Sequence, residues 1–228
     1  MTPVVLFDID GTLIHTHGAG RRAFAEVLGS QFGLPDATRG VSFAGRTDRD
    51  ICGEIFRAHH LPDSAWDVFA ARYLQQLQSA LQHRAGEVLP GVAELIRGLE
   101  ELPQRPKLAL LTGNLEKGAE LKLRSVGLWR HFAFGAYGDQ WTDRDDVARE
   151  ALSIAQAHCG VAADHLLVIG DTPRDIQCAR AIGARVLAVA TGECTLEELA
   201  RHEPDALLPD LTHTDALRLM GLLTPEGS

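Results

Sequence analysis

An apolar run that ends in two acids constrains this chain more than any other feature. Residues 4–7 read Val-Val-Leu-Phe, and Asp8, Asp10, Gly11 and Thr12 follow. An apolar run without polar alternation is typical of a strand buried in a parallel sheet. Because side chains alternate along a strand, we expect Asp8 and Asp10 to point the same way at its carboxyl end, where ligands bind in open α/β sheets.

Crowded carboxylates repel each other unless a cation lies between them or one keeps a proton. Gly11 allows a sharp turn out of the strand, and Thr12 can satisfy backbone groups there. The plain structural alternative is a capped strand end with two solvated acids. An Asp-x-Asp-Gly-Thr sequence directly after an apolar strand is specific enough to favour a functional site over that alternative.

Net charge, apolar runs and cysteine usage limit the partners and the compartment that we expect for this chain. The net charge of −9 leaves no basic surface for nucleic acid or an anionic membrane. No apolar run approaches the roughly 20 residues that cross a bilayer, and the first residues lack a signal-peptide layout. The four cysteines are scattered, as in a reducing cytosol. We therefore expect a cytoplasmic protein, monomeric or homodimeric, that binds neither nucleic acid nor membrane.

Further along the chain, buried-strand patterns alternate with helical ones. The predicted strands after the first cover residues 107–111, 132–134, 165–170, 186–189 and 206–208. Strands that alternate with helices predict an α/β fold with a doubly wound parallel sheet. Between residues 14 and 88 the apolar spacing is helical, with no convincing strand, so we predict an all-helical insert.

Three predicted strands end in groups that carry chemistry. In a parallel sheet these ends share one edge, so groups distant in sequence can converge there. Carboxylates beside backbone N–H donors and a hydroxyl suit Mg²⁺ together with phosphate. The groups are Asp8 and Asp10, then Thr112, Gly113 and Asn114, and finally Asp171 and Asp175.

The chain resembles the haloacid dehalogenase superfamily of phosphotransferases, in its phosphoglycolate phosphatase and β-phosphoglucomutase-like branch. The matching motifs are Phe-Asp-Ile-Asp-Gly-Thr-Leu at 7–13, Leu-Leu-Thr-Gly-Asn at 110–114 and Gly-Asp-Thr-Pro-Arg-Asp at 170–175. The resemblance implies a Rossmann-like core and a mobile helical cap domain. The predicted boundaries give residues 1–14 and 90–228 to the core and 15–89 to the cap.

The resemblance also implies residue roles. Asp8 would attack phosphorus to form an aspartyl-phosphate, and Asp10 would protonate the leaving oxygen and later deprotonate water. The Thr112 side chain and the backbone of Gly113 and Asn114 would hold phosphoryl oxygens. Mg²⁺ would be bound by Asp8, the Asp10 carbonyl and Asp171, while Asp175 would bind it or orient its shell.

The chain departs from the family pattern where a lysine is expected before the helix that leads to the fourth strand. No lysine lies downstream of residue 122. Arg144 is nearest to the expected place, and its guanidinium can grip a phosphate through two N–H groups. Arg149 is the fallback, and a solvated turn arginine is the structural alternative for Arg144.

In the predicted cap, Arg46 and Thr47 lie where the branch keeps residues that contact substrate. Arg46 could bind an anionic group of a substrate, and helix capping by its neighbours is the alternative.

We predict a Mg²⁺-dependent phosphatase that hydrolyses a small phosphorylated metabolite, phosphoglycolate-like or a sugar phosphate. A phosphomutase is the first alternative. Against it, β-phosphoglucomutases carry a histidine in the cap hinge, and the corresponding position in this chain is occupied by Gly20. The second is a non-catalytic phosphate-binding protein, which would not need both Asp8 and Asp10. Dehalogenases of the superfamily lack the second acid, and phosphonate hydrolases need a cap lysine, which is absent between residues 15 and 89.

Overall fold

The computed structural model describes residues 2–214 and residue 221. Its strands are β1 (Val4–Phe7), β2 (Ile14–His15), β3 (Glu87–Val88), β4 (Lys107–Leu111), β5 (Phe134–Ala136), β6 (Leu166–Gly170), β7 (Arg185–Val189) and β8 (Ala206–Leu208). Its α-helices are α1 (Ala19–Phe32), α2 (Asp48–Ala58), α3 (Trp66–His83), α4 (Val92–Glu101), α5 (Glu116–Ser125), α6 (Arg144–Cys159), α7 (Pro173–Ala181) and α8 (Leu196–Ala200). Short 3₁₀ turns cover Asp63–Ala65, Trp129–His131, Ala163–His165 and Leu211–His213.

The strand β1 lies near the centre of a six-stranded sheet whose order is β5-β4-β1-β6-β7-β8. All neighbouring strands of this sheet run parallel. The predicted fold class is confirmed, because helices cover both faces of the sheet: α4 and α5 on one, α6, α7 and α8 on the other.

Alternating side chains of β1 supply both halves of the core. Val5 and Phe7 pack with the layer of α4 and α5, while Val4 and Leu6 pack with the layer of α6 and α7. All four side chains are fully buried. Such a strand is apolar on both faces, as its sequence predicts, and its next residue, Asp8, emerges at the carboxyl edge between β4 and β6.

The predicted strand at 132–134 is displaced by two residues in the structure. The turn Trp129–His131 uses the residues before it, and β5 begins at Phe134. Phe132 instead sets its ring against Phe7, with ring centroids 5.9 Å apart. The aromatic side chain of Phe132 therefore serves core packing, and the residue does not belong to a strand. Similarly, the strand predicted at 165–170 begins one residue later than predicted, because His165 ends a 3₁₀ turn and β6 starts at Leu166.

The predicted insert is helical in α1, α2 and α3, but the prediction that it lacks strands is wrong at its two ends. There β2 pairs antiparallel with β3, joining Ile14 to Val88 and His15 to Glu87. Strands of two residues are too short to show alternation in a sequence, so the pattern missed them. The domain boundaries themselves stay a prediction. Within the described residues, no helix combines the length and apolarity that crossing a membrane requires.

Aromatic side chains hold the three helices of the insert together. The Phe69 ring is fully buried. It contacts the rings of Phe24 in α1, Phe56 in α2, and Trp66 and Tyr73 in α3, with centroids 4.8 to 6.2 Å apart. Aromatic pairs in such edge-to-face and stacked arrangements add to the free energy gained by burial.

We expect Phe69→Ala to lower the free energy of unfolding by about 3–5 kcal/mol, because it removes a buried ring and leaves a cavity among aromatic neighbours. The neighbouring residue Val68 is 53% exposed. Val68→Ala should therefore change stability by less than about 0.5 kcal/mol. Denaturant unfolding of both variants measures the difference. Similar values for the two would contradict the assignment of Phe69 to the core.

Candidate active site

The predicted nucleophile, Asp8, lies beside a buried arginine at the carboxyl edge of the sheet. Arg144 begins α6, and its Nη2 lies 3.0 Å from Asp8 Oδ1 and 2.5 Å from Asp175 Oδ1. All three side chains are almost completely buried. By contrast, Arg149 is exposed and pairs with Asp146 within α6. The structure therefore brings Arg144 to the site and leaves Arg149 on the surface.

Both carboxylate oxygens of Asp175 have hydrogen-bond partners. Its Oδ2 accepts hydrogen bonds from the backbone N–H and the hydroxyl of Thr172, at 3.0 and 2.7 Å. This closes a capping box at the start of α7. Since Oδ1 binds Arg144, Asp175 fixes the orientation of that guanidinium as well as the turn after β6.

Asp171 follows β6 directly and is positioned by the first motif. Its Oδ1 accepts a hydrogen bond of 2.9 Å from the Thr12 hydroxyl. Glycines make room for its Oδ2: a Cβ would lie 2.4 Å from that oxygen at Gly11 and 1.7 Å from it at Gly192. Sequence reasoning gave Thr12 only a turn role and missed Gly192, whose importance shows only in the folded chain.

The carboxylates of Asp8, Asp171 and Asp175 can each offer an oxygen within 4.8 Å of the others. Burial raises the pKa of Asp8 to about 6, against the opposing effect of Arg144. Burial and the charges of Asp175 and Asp8 raise the pKa of Asp171 well above its usual range. An all-oxygen set of crowded, buried acids fits Mg²⁺, because a bound cation relieves both the repulsion and the cost of burial.

The Asn114 side chain connects the second motif to the first. Its Nδ2 donates to Thr112 Oγ1 at 2.8 Å and to Asp10 Oδ2 at 2.9 Å, and its Oδ1 accepts from Lys122 at 2.5 Å. The Thr112 hydroxyl oxygen accepts the hydrogen bond from Asn114 Nδ2. No described residue accepts the proton of that hydroxyl. That proton is therefore available to a phosphoryl oxygen. Asn114 thus positions Asp10 with its side chain, a role that the sequence did not predict.

Lys122 is a further residue of the candidate site that sequence reasoning missed. It lies on α5, is 4% exposed, and its Nζ is 2.5 Å from Asp10 Oδ2. Burial raises the pKa of Asp10, but the charge and hydrogen bond of Lys122 outweigh it and lower that pKa. A signal was present: Lys122 shares helical spacing with Leu115, Ala119 and Leu123, which predicts a buried face.

The loop before α2 rests on the loop after β4. The Asp48 backbone N–H donates to Gly113 O at 2.8 Å, and the Leu115 N–H donates to Asp48 Oδ2 at 3.0 Å. A Cβ on Gly113 would lie 2.1 Å from the carbonyl oxygen of Arg46. The glycine therefore permits a close approach of the insert to the core.

The predicted cap residues lie close to the site. The Arg46 guanidinium binds Asp50 at 2.6 Å and Glu54 at 2.5 Å, and Arg46 borders the cavity described below. Thr47 caps α2 by accepting from Asp50 N at 3.0 Å, and its hydroxyl donates to Thr142 O at 3.3 Å. Both side chains thus have partners within the chain. Their roles in binding substrate stay predictions.

A cavity of about 580 Å³ opens above these groups, between the sheet edge and the insert. Its walls include Asp8, Asp10, Thr112, Lys122 and Arg144. It is large enough for a small organic phosphate and fits the size of ordinary ligand pockets.

A parallel α/β core with three strand-end motifs around a buried acid cluster is the arrangement expected of the hydrolase class that the motifs resemble. Comparison with known proteins gives the same class. Residues 5–189 match the family described as haloacid dehalogenase-like hydrolase. The chain belongs to this family, which confirms the predicted resemblance.

Relatives include a phosphoglycolate phosphatase from Mesorhizobium japonicum, 30% identical over 94% of this chain and 92% of that protein. A validoxylamine A 7'-phosphate phosphatase from Streptomyces hygroscopicus subsp. limoneus is 28% identical over 93% and 95%. The crystal structure of CbbY from Rhodobacter sphaeroides in complex with phosphate superposes with a TM-score of 0.74, at 20% identity over 93% and 96%. The phosphatase names agree with the predicted enzyme class, and the structural likeness confirms the fold.

We expect Gly113→Ala to lower the free energy of unfolding by about 1–3 kcal/mol, because the new methyl group would overlap the backbone of the insert. Gly118→Ala, within α5, is the control, since its Cβ would make only ordinary contacts, at 3.6 Å or more, with the side chains of Leu74, Leu77 and Leu115. That variant should gain about 0.5–1 kcal/mol from helix propensity. Equal effects in chemical unfolding would show that the loops do not meet as described.

Proposed function

We propose that this protein is a Mg²⁺-dependent phosphatase that hydrolyses a small phosphomonoester through an aspartyl-phosphate on Asp8. The observation that carries the proposal is the position of Asp8. Its carboxylate borders the cavity, next to a cation that can hold a phosphoryl group, and Asp10 borders the same cavity. Phosphoryl transfer depends mainly on such positioning and on neutralised charge.

In the first step, a carboxylate oxygen of Asp8 attacks phosphorus while the bond from phosphorus to the ester oxygen breaks. Asp10 gives a proton to the departing oxygen. In the second step a water molecule attacks phosphorus, the bond to Asp8 breaks, and Asp10 takes the proton of the water. The lowered pKa of Asp10 favours the carboxylate form that this second step needs. The same shift disfavours the acid form that the first step needs, so Asp10 must take up a proton from solvent or from the monoanion of the substrate phosphate before the ester bond breaks.

Two groups are suited to hold the phosphoryl oxygens during both steps. Arg144 offers a buried positive charge 3.0 Å from Asp8. Thr112 offers a hydroxyl proton at the wall of the cavity. Because these donors are fixed by Asp175 and Asn114, they need no reorganisation as charge develops.

Mg²⁺ would be held by Asp8, Asp171 and the Asp10 carbonyl. Asp175 would orient the groups around the ion. The bound ion would neutralise the negative charge shared by the phosphate and Asp8. Meanwhile Thr12 keeps the Asp171 carboxylate turned toward the cluster through its hydrogen bond of 2.9 Å.

A small phosphorylated metabolite fits a cavity of this size better than a phosphoprotein. We keep the prediction of a cytoplasmic monomer or homodimer. A phosphomutase remains the alternative within the fold, and a non-catalytic phosphate-binding protein the alternative outside catalysis. Release of inorganic phosphate from a single substrate distinguishes hydrolysis from both.

The test is turnover of p-nitrophenyl phosphate by the purified protein with Mg²⁺ and with excess EDTA. We expect activity only with Mg²⁺. Asp8→Asn should abolish it, since an amide of the same shape cannot attack phosphorus. Asp164→Asn is a matched control at an exposed acid and should leave it unchanged. Asp8→Asn activity within about tenfold of wild type would exclude the proposed nucleophile.

A second variant pair tests which arginine replaces the expected lysine. Arg144→Ala should slow turnover about 30- to 1000-fold, the loss of one charge-assisted contact to the transferring phosphoryl group. Arg149→Ala should change turnover less than about twofold, because that side chain is exposed and, among the described residues, pairs with Asp146 alone. Melting temperatures of both variants separate loss of catalysis from loss of folding. A larger effect at Arg149 would reverse the assignment.

A further inference from the structure

We propose that His15, His17 and Glu87 form a binding site for a first-row transition-metal ion such as Zn²⁺, where the chain enters and leaves the helical insert. His15 lies on β2, Glu87 on β3, and His17 in the turn before α1. The set shares no residue with the acid cluster at the carboxyl edge of the sheet. The inference does not depend on the proposed phosphatase function.

The pairing of β2 with β3 brings a histidine and a glutamate to one face of this small sheet. His15 lies directly opposite Glu87 in the antiparallel pair. Side chains of opposite residues share a face, and their Cβ atoms are about 4.5–5.5 Å apart. The ring of His17 packs edge-on against the ring of His15, with centroids 4.8 Å apart. Two imidazoles and one carboxylate therefore meet where the insert joins the core.

The Nε2 atom of His17 is the ligand atom that the fold already holds in place. It is buried and lies 3.0 Å from Glu87 Oε1, but the contact lacks hydrogen-bond geometry, and no described residue is a hydrogen-bond partner of this nitrogen. A buried nitrogen without a partner is costly and rare. Two ligand atoms of one tetrahedral Zn²⁺, each about 2.0–2.1 Å from the ion, are about 3.3 Å apart. The observed separation is close to that value.

The backbone of His17 supports a site at this place. Its φ of 52° lies in the left-handed region, which costs free energy in a residue that has a Cβ. Arg22 Nη1 donates to the His17 carbonyl oxygen and so helps to hold this conformation. Strained backbone conformations occur preferentially at functional sites. Here the strained residue is the one whose imidazole is held beside Glu87.

The chemistry of the donors selects the kind of ion. Two imidazoles and one carboxylate are a donor set of open Zn²⁺ sites, in which water takes the fourth position. Imidazole suits Zn²⁺, Ni²⁺ and Cu²⁺, whereas Mg²⁺ prefers oxygen ligands. His15 and Glu87 are exposed, so their side chains can rotate to complete the set and water can reach the ion.

One nearby cation opposes metal binding. Arg84 Nη2 lies 3.9 Å from Glu87 Oε1, and both side chains are largely exposed. Exposed ion pairs of this kind contribute little free energy, so a metal ion can displace the guanidinium. The pair nevertheless competes for the carboxylate, and its removal should therefore strengthen metal binding.

A bound ion would connect the segment that enters the insert to the segment that leaves it. The three helices α1, α2 and α3 lie between His17 and Glu87 in the chain. An ion that binds the folded protein and not the unfolded chain raises the melting temperature. We therefore expect Zn²⁺ to stabilise the protein through this site.

The experiment is a calorimetric titration of the purified protein with Zn²⁺ in excess Mg²⁺, together with melting temperatures with and without Zn²⁺. Any Zn²⁺ that reaches the acid cluster is common to all variants. Wild type should bind about one equivalent more than His17→Gly, and Glu87→Gln should bind that equivalent at least about tenfold more weakly. In both variants the rise in melting temperature that this equivalent causes should be lost. Glycine adopts a positive φ without strain, so His17→Gly should fold normally and melt no lower than wild type without Zn²⁺.

Two further variants make the test specific. Arg84→Gln should tighten Zn²⁺ binding about two- to fivefold. His202→Ala removes an exposed histidine beyond α8 and should change nothing. Equal Zn²⁺ binding by wild type, His17→Gly and Glu87→Gln would overturn the site, and so would a loss in His202→Ala as large as that in His17→Gly. Neither result would affect the proposed phosphatase function.

Discussion

The compensation of buried negative charge by two buried cations is the constraint on which the site depends. Asp8 and Asp175 would repel each other without Arg144 between them. The partly exposed Asp10 is paired with the buried Lys122. Removing water from such groups is costly, so each carboxylate must be paired and hydrogen-bonded. Asn114 and Thr172 supply the remaining hydrogen bonds. The acids can therefore face one cavity, where a metal ion and a phosphate fit.

Contact between the insert and the core turns this edge of the sheet into a cavity that both of them border. The contact is made through backbone groups, with Asp48 bound to Gly113 and Leu115. Glycine at 113 allows that approach. Shielding from water on these sides strengthens the effect of the lining charges on a molecule bound there. The contact also brings Tyr73, a residue of the insert, to the cavity that Asp8 and Asp10 border.

Much of the fold and part of the site could be predicted from local pattern. The apolar run before Asp8 identified the central strand because a strand buried on both faces needs apolar residues throughout. Arg144 was located by its place before a helix, and the structure puts it against Asp8. The errors have local causes: a 3₁₀ turn displaced β5, and β2 and β3 are too short to show a period.

By itself, the sequence determined the parallel sheet, the helical insert and the set of acids at strand ends, since periodicity and motif order are written along the chain. Only the tertiary structure decided which cations meet those acids. Lys122 and Asp10 are 112 residues apart. Arg46, which the sequence marks as a candidate anion-binding residue, is paired with Asp50 and Glu54. Such pairings depend on how helices pack against the sheet, which no local pattern records.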